Sequence, residues 1–274
     1  IDLDIVHHIG DKDISVGSNS NNGFVSKVIR YKGVAAHAAG APHLGVNALN
    51  AASLGLSALA YQRETFRDND HVRIHPIITK GGNLVNVVPD EVVIETLVRA
   101  ANKDAIADAA AKTDRAFRSG AYAIGAQCQI TTMPGYLPAL SAEANEEVLA
   151  AAQIASQSSK KDYEVVKQDT TAHSGGSTDV GDGQHIQPVL TFNTGGKVSG
   201  LHSVDFDIVD DELAYIVTAK IFALSAYRLL KNGAAKAKEV VENYHPIFTK
   251  DAYIQYMNSF ISVEGGSPTE INAP

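Results

Sequence analysis

The 274-residue chain carries 23 Lys and Arg residues against 31 Asp and Glu residues, so its formal net charge is −8. This balance excludes a nucleic-acid surface, because phosphate contacts need clustered basic residues. The single cysteine, Cys128, excludes a disulfide framework and a cysteine-rich zinc site, and we expect a cytoplasmic protein. No uninterrupted apolar run approaches about 18 residues, so we expect no membrane partner.

Residues 24–133 have the pattern of one β-α-β-β-α-β module. Helical spacing occurs at 46–62 and 103–125, and strand-like runs occur at 24–31, 71–79, 91–100 and 126–133. This order predicts a four-stranded antiparallel sheet with two helices on one face. Glu95 and Arg99 alternate with apolar residues of the third strand, so Arg99 should point away from the helix-covered core.

The rest of the chain alternates helices with single strands and predicts an α/β layer. The segments 143–158 and 209–231 are helical in spacing, with Gly233 as a stop, whereas LDIVHHIG at the start and PVLTFNT (188–194) resemble buried strands. We therefore expect one α/β domain of residues 1–22 and 134–235, interrupted by an α+β module of residues 23–133. Residues 236–274 are expected to form a C-terminal helix and a loosely ordered tail.

Four histidines are candidates for chemistry: His7, His8, His37 and His202. His8 and His202 each lie where a strand gives way to a loop, which is where open α/β sheets place functional groups. Nearby aspartates could orient them as metal ligands, although local chemistry alone favours ordinary structural histidines. His37 lies among small residues that leave its ring accessible to a ligand or an oxyanion, although residue chemistry alone favours an exposed loop histidine.

The glycine-rich stretch SGGSTDVGDGQ (174–184) contains Asp179. It is not a phosphate-binding loop, because no Gly-Lys-Ser/Thr follows, and it lacks the Gly-x-Ser-x-Gly elbow of serine hydrolases. A serine hydrolase using Ser177 is therefore a distant alternative. Cys128, inside a strand, is expected to be a core residue.

Four motifs together resemble peptidase family M20, and most of all its aminobenzoyl-glutamate hydrolase-like amidohydrolase branch. They are YKGVAAHAAGAPHLGVNALNAA (31–52), GGNLVNVVPDEVVIETLVRA (81–100), SGGSTDVGD (174–182) and SGLHSVDFDI (199–208). Their order and spacing agree with the family over about residues 1–230. The resemblance implies a partial zinc-peptidase-like, three-layer α/β/α catalytic domain with an inserted dimerisation, or lid, domain at 23–133.

The resemblance also implies roles for particular residues. His8 and His202 match metal ligands, with His7 as the neighbour that could replace His8 or support it, and Asp179 would organise the loop. His37 matches the lid histidine that stabilises the tetrahedral intermediate in the partner's site of a homodimer. Asn86 and Arg99 match positions that hold the substrate's amide or carboxylate, which suits the planar fork of Arg.

The implied cofactor is a divalent metal, zinc first, with manganese or cobalt as alternatives, and poorly occupied in this chain. The implied substrates are N-acyl amino acids, aminobenzoyl-glutamate-like compounds and small dipeptides. The family's upstream His or Cys ligand, bridging carboxylate and Glu-Glu pair have no counterpart in this sequence, so we expect the chain alone to be inactive.

Three explanations of this departure stay open. The chain could be the C-terminal portion of a longer enzyme, which we favour, or it could pair with a second polypeptide. Alternatively, it could be a non-enzymatic dimeric binding module for a carboxylated ligand.

Overall fold

A computed structural model describes residues 2–200 and 202–265. In chain order its elements are β1 (Asp4–Ile9), β2 (Ile14–Val16), β3 (Ser20–Asn21), β4 (Gly23–Lys32), α1 (Ala48–Tyr61), β5 (Arg73–Ile74), β6 (Ile77–Lys80), β7 (Glu91–Ala100), α2 (Lys103–Ile124), β8 (Gln127–Pro134), α3 (Glu146–Gln157), β9 (Val165–Lys167), β10 (His173–Ser174), α4 (Val180–Ile186), β11 (Val189–Thr194), β12 (Lys197–Val198), β13 (Asp207–Ile208), a π-helical turn (Glu212–Val217), α5 (Thr218–Asn243), α6 (Lys250–Asn258) and β14 (Ser262–Glu264).

These elements form two compact units, each with its own core. Of the described residues, the first unit comprises 2–21, 139–200 and 202–250, and the second comprises 22–138 and 251–265. The sequence assigned 236–274 to a separate C-terminal helix and tail. In the structure, residues up to 250 group with the first unit and residues 251–265 with the second. The mixed α/β fold class expected from the sequence is confirmed.

The first unit, which we call the α/β unit, is built on a sheet with the strand order β1-β11-β2-β9. β1 pairs in parallel with β11, and β11 pairs antiparallel with β2. Residues of α3 and α5 pack against β2 and β11 in a core whose buried members include Ile14, Val148, Phe192 and Ile221. The first strand was expected to be buried, but it lies at the edge of this sheet and is half-buried, with His8 exposed.

The second unit, which we call the lid unit, has a sheet with the order β14-β8-β4-β7-β5, and β6 also pairs with β7. Its pairings are antiparallel, as expected, and α1 and α2 cover one face through a core that includes Tyr31, Ile94 and Phe117. The helices approach closely at Gly55 and Gly120, where a Cβ on Gly120 would lie 2.2 Å from the carbonyl oxygen of Ala51. Only glycine therefore fits this crossing.

Two features of the lid sheet differ from the sequence expectation. The run 71–79 is split into β5 and β6 around His75 and Pro76, because proline cannot donate to the strand ladder. The expected loosely ordered tail supplies β14, which pairs with β8 at Ser262–Thr132, while Glu264 forms an ion pair with Arg118. With the split strand and β14, the described sheet has six strands instead of the expected four.

The helical run Glu212–Asn243 is interrupted after Leu230, where Lys231–Ala234 leave helical backbone angles. By length and composition this run could cross a membrane. Core helices of water-soluble domains meet the same criterion, and here Leu213, Val217 and Ile221 are buried in the core of the α/β unit.

Candidate functional site

His37 and Asn86 lie on two lid loops that the backbone ties together. The amide of Ala38 donates to the Asn86 carbonyl at 2.9 Å, and the amide of Val88 donates to the Ala36 carbonyl at 2.9 Å. His37 and Val87 also form an isolated β-bridge. The structure therefore brings together two predicted site residues that are 49 positions apart in sequence, and both side chains are exposed.

The hydrogen bonds of His37 define the state of its ring. Its Nδ1 accepts from the backbone amides of Ala39, at 3.2 Å, and Gly40, at 2.9 Å. An imidazole nitrogen that accepts carries no proton, so in the neutral ring the proton lies on Nε2. The loop thus presents Nε2–H as a hydrogen-bond donor, which is the group that an oxyanion requires.

Arg99 lies on β7 and is half-buried on the sheet face opposite the helices, as its alternation predicted. Its guanidinium carbon is 5.6 Å from the centre of the Phe24 ring, directly across the β4–β7 ladder. Phe24 is in turn held edge-on by Tyr136, with ring centres 5.0 Å apart. The aromatic pair supports the guanidinium through a cation–π contact and orients its planar fork.

In the α/β unit, His7 is the first member of a buried polar chain. Its Nε2 is 2.7 Å from Oγ1 of Thr194, which is 2.7 Å from Oγ1 of Thr218, and Thr218 donates to the Leu213 carbonyl at 3.2 Å. A carbonyl can only accept, so the single hydroxyl proton of Thr218 is committed to Leu213 and Thr194 donates to Thr218. It follows that His7 donates from Nε2–H to Thr194.

The surroundings of His7 also keep it neutral. Its ring packs against Phe192 and Phe222, with centres 5.0 and 6.3 Å away. Burial, followed by the neighbouring charge of His8, lowers the pKa of His7 from 6.5 to about 4. Nε2 of His7 is thus occupied by Thr194.

His8 occupies the opposite position on the alternating strand, and its ring is exposed. Its Nε2 lies 3.5 Å from Oγ1 of Thr178, which belongs to the predicted glycine-rich motif. The hydroxyl of Thr178 is also 3.4 Å from Asp179, the residue that precedes α4. The structure therefore brings the 174–182 motif next to His8, with Asp179 one residue further along.

His202 lies between β12 and β13 and is exposed. Both His202 and Ser199 have left-handed backbone angles, with φ of 66° and 61°. Non-glycine residues rarely adopt this region, and such strain is concentrated at functional loops. Leu201, inside this predicted motif, lies outside the described residues.

The aspartates expected to support His8 have other partners. Asp4 accepts a hydrogen bond from Gln187, and Asp11 forms an ion pair with Lys197. Within residues 2–200 and 202–265, no group of three or more His, Cys, Asp or Glu side chains is arranged to hold a metal ion. A catalytic zinc needs about three protein ligands, so these residues do not fit a complete metal centre by themselves.

Sequence reasoning missed the hydroxyl chain behind His7. Thr194 is fully buried and Thr218 is 9% exposed, yet they are 24 residues apart and belong to a strand and a helix. No spacing rule connects such positions. The only local indication is the π-helical turn before Thr218, a feature that is frequent at functional sites.

Comparisons with known proteins first define the class of fold. A dinuclear metal-binding peptidase of the M20 family from Bacillus subtilis superposes with a TM-score of 0.56 and 22% identity, over 84% of this chain and 58% of that protein. An aminobenzoyl-glutamate utilization protein from Klebsiella pneumoniae gives a TM-score of 0.59 and 16% identity, over 85% and 56%. The chain has the fold of these M20 structures.

The sequence comparison then identifies the inserted module. Residues 19–123 match the family described as a peptidase dimerisation domain of M20 type. A mouse Xaa-Arg dipeptidase is 33% identical over 102 residues, which cover 37% of this chain and 23% of the dipeptidase. These matches confirm the resemblance to M20 proteins, and all but the first three residues matched by the dimerisation-domain family lie in the lid unit. The chain spans less than two thirds of the length of each of these relatives.

Proposed function

We propose that this chain supplies the dimerisation domain and part of the hydrolytic domain of a metal-dependent amidohydrolase or peptidase. One observation carries this proposal. The two loops that bear His37 and Asn86 are joined by backbone hydrogen bonds, within a segment that matches a peptidase dimerisation domain. Its substrates would be N-acyl amino acids, aminobenzoyl-glutamate-like compounds or small dipeptides. The names of the Klebsiella and mouse relatives support this range.

In this proposal Arg99 binds the substrate carboxylate. Its guanidinium is held over Phe24, so little side-chain freedom is lost when the two parallel hydrogen bonds form. Asn86 offers both an amide donor and an amide acceptor to the substrate's amide group. Both residues therefore orient the substrate rather than react with it.

His37 would donate its Nε2–H to the oxygen that becomes negative as the amide is attacked. The two backbone amides on Nδ1 hold the ring in this tautomer before the substrate arrives, so no reorganisation is needed during the reaction. In the proposed homodimer, this histidine acts on substrate bound by the partner.

His8 and His202 are our proposed metal ligands from this chain, with Asp179 ordering the neighbouring loop. We favour His8 over His7 because Nε2 of His7 is committed to Thr194. A bound divalent ion, zinc first and manganese or cobalt as alternatives, would supply the nucleophilic water. The further ligands and the general base would come from polypeptide outside this chain, and the chain alone would be inactive.

The test uses the complete reading frame that contains this sequence, expressed and loaded with zinc, manganese or cobalt. We expect metal-dependent hydrolysis on a panel of N-acyl amino acids and dipeptides, and none from the 274-residue chain. His37→Gln should lower kcat about 100-fold or more, whereas Arg99→Gln should mainly raise KM. A folded, metal-loaded full-length protein without turnover on this panel would contradict the proposal.

The homodimer is likewise a proposal. The edge strand β6 exposes Ile77 (62%) and Ile78 (43%), and an uncovered apolar edge favours strand pairing between copies. Sedimentation equilibrium should give a dimer, and Ile78→Lys should shift it to monomer. A wild-type monomer at high concentration would exclude the role of His37 in the partner's site.

A non-enzymatic dimeric binding module remains the second candidate. Two observations favour it. The described ranges contain no three-ligand metal cluster, and Arg99 is held against the Phe24 ring. Calorimetry with an N-acyl amino acid in metal-free buffer distinguishes it. Binding that Arg99→Ala abolishes would support this module, and the absence of binding would exclude it.

A further inference from the structure

A concavity of the lid unit lies apart from His37 and Asn86, neither of which lines it. It has a volume of about 500 Å³ and lies where the end of α1 meets the segment 62–72 and the edge strand β5. Pockets for small ligands have volumes of about 300–1,000 Å³. Its lining combines apolar side chains, among them Leu56, Leu59 and Phe66, with basic ones, among them Arg63 and Arg67.

The charge on this lining is one-sided in a chain that is acidic overall. The lining contains three arginines, Arg63, Arg67 and Arg73, and a single carboxylate, Asp68. Arg73 lies at its edge, opposite Arg99 in the β5–β7 ladder. None of the three arginines forms an ion pair with a carboxylate in the described part of the chain. Arg73 donates only to the neighbouring Val72 carbonyl, at 2.9 Å. The guanidinium groups are therefore available to an external anion.

The other acidic residues of the segment do not line the concavity. The carboxylate of Asp70 accepts a hydrogen bond from the Asn102 side chain at 3.1 Å, and Glu64 lies outside the lining. Of the three acidic residues at positions 64–70, only Asp68 therefore lines the concavity, so arginines outnumber carboxylates on its lining.

The loop that carries the arginines is fixed before any ligand binds. Lys112 of α2 donates to the Thr65 carbonyl at 2.9 Å and lies 4.9 Å from the centre of the Phe66 ring. The amide of Ala101 donates to the Asp70 carbonyl at 2.9 Å, and Asn22 donates to the carbonyl of His71, whose φ is 47°. A preformed site of this kind loses little entropy on binding.

We propose that this concavity, the Arg63–Arg67 pocket, binds a small organic acid with a carboxylate or phosphate head and an apolar body. The head is held by the guanidinium groups, whose planar forks match both kinds of oxyanion. The body lies on the floor formed by Leu56, Leu59 and Phe66. Arg99 and His37 do not line this concavity, although Arg73 at its edge lies opposite Arg99 in the β5–β7 ladder. The proposal does not depend on the hydrolytic function.

The test is isothermal titration calorimetry on the assembled protein with four probes. They are phenyl phosphate and benzoate, inorganic phosphate as the head alone, and benzyl alcohol as the uncharged body. We expect phenyl phosphate or benzoate to bind once per chain, more tightly than inorganic phosphate, and benzyl alcohol not to bind. Arg63→Gln and Arg67→Gln should each weaken binding about tenfold, the effect of one lost charge-assisted hydrogen bond.

Arg115→Gln is the matched control, since Arg115 is exposed on α2 and lies outside the lining. All three arginines are exposed, so the variants should keep the far-ultraviolet circular dichroism of the wild type. The proposal is overturned if neither aromatic acid binds at millimolar concentration. It is also overturned if Arg115→Gln weakens binding equally, or if inorganic phosphate or benzyl alcohol binds as tightly as phenyl phosphate.

Discussion

The ion pair between Lys27 and Asp114 offers a sharp test of how the lid unit is held together. Lys27 is 1% exposed on the helix-covered side of β4, and its Nζ lies 2.7 Å from Asp114 Oδ1 on α2. Nζ also donates to Thr132 of β8 at 2.9 Å. The approach to Asp114 lacks hydrogen-bond geometry, so this contact is an ion pair rather than a directed hydrogen bond.

The magnitude follows from the distance and the burial. Two unit charges 2.7 Å apart attract by about 6 kcal/mol at an effective dielectric constant of about 20. The cost of removing both ions from water offsets most of this attraction, so the pair as a whole contributes little. Asp114→Asn, however, leaves the lysine charge buried without its counter-ion, and should lower the free energy of unfolding by about 3–5 kcal/mol.

The double variant Lys27→Met/Asp114→Asn removes both charges and should recover most of this loss. Urea unfolding followed by circular dichroism gives the free energies, and hydrogen exchange of the β4 and β8 amides reports on the lid unit separately. The exposed pair Lys103–Asp104 on the same helix is the control, and Asp104→Asn should change little. If Asp114→Asn is nearly as stable as the wild type, or the double variant is no more stable than Asp114→Asn, this reasoning is refuted.

Three further predictions concern packing and ionisation. Gly120→Ala should destabilise the lid unit by about 1–3 kcal/mol, because its Cβ would meet the Ala51 carbonyl oxygen at 2.2 Å, whereas Ser119→Ala should have little effect on the melting temperature. Burial lowers the pKa of His7 to about 4, so between pH 6.5 and 4 the unfolded chain binds more protons than the folded chain. The free energy of unfolding should therefore fall as the pH is lowered through this window, and it should fall less in His7→Gln. An unchanged urea midpoint would contradict this. Burial raises the pKa of the half-buried Cys128 to about 12, so at pH 8 iodoacetamide should alkylate it far more slowly in the native protein than in urea; equal rates in the two states would contradict this.

The sequence alone predicted most of the secondary structure, because the local patterns and the tertiary structure agree. The alternation in 91–100 and the spacing in 103–125 correspond to β7 and α2 within one or two residues. The split at His75–Pro76 and the strand β14 were missed. The split depends on a proline inside an apolar run. The strand β14 depends on an edge of β8 that lies more than 120 residues earlier in the sequence and has no other described partner strand.

The resemblance of the motifs to family M20 indicated which side chains to consider, including His37, Asn86 and Arg99. The folded structure decided the hydrogen-bond partners of two histidines. The loop amides fix the tautomer of His37, and Thr194 and Thr218 occupy the nitrogen of His7 that would otherwise rival His8. Likewise, the alternating acids and bases of residues 63–73 do not indicate which of them line a common concavity. Local sequence determines where a backbone can bend and which faces are apolar. The position of a proton on a side chain and the sign of the charge on a surface depend on atoms that only folding brings within a few ångströms.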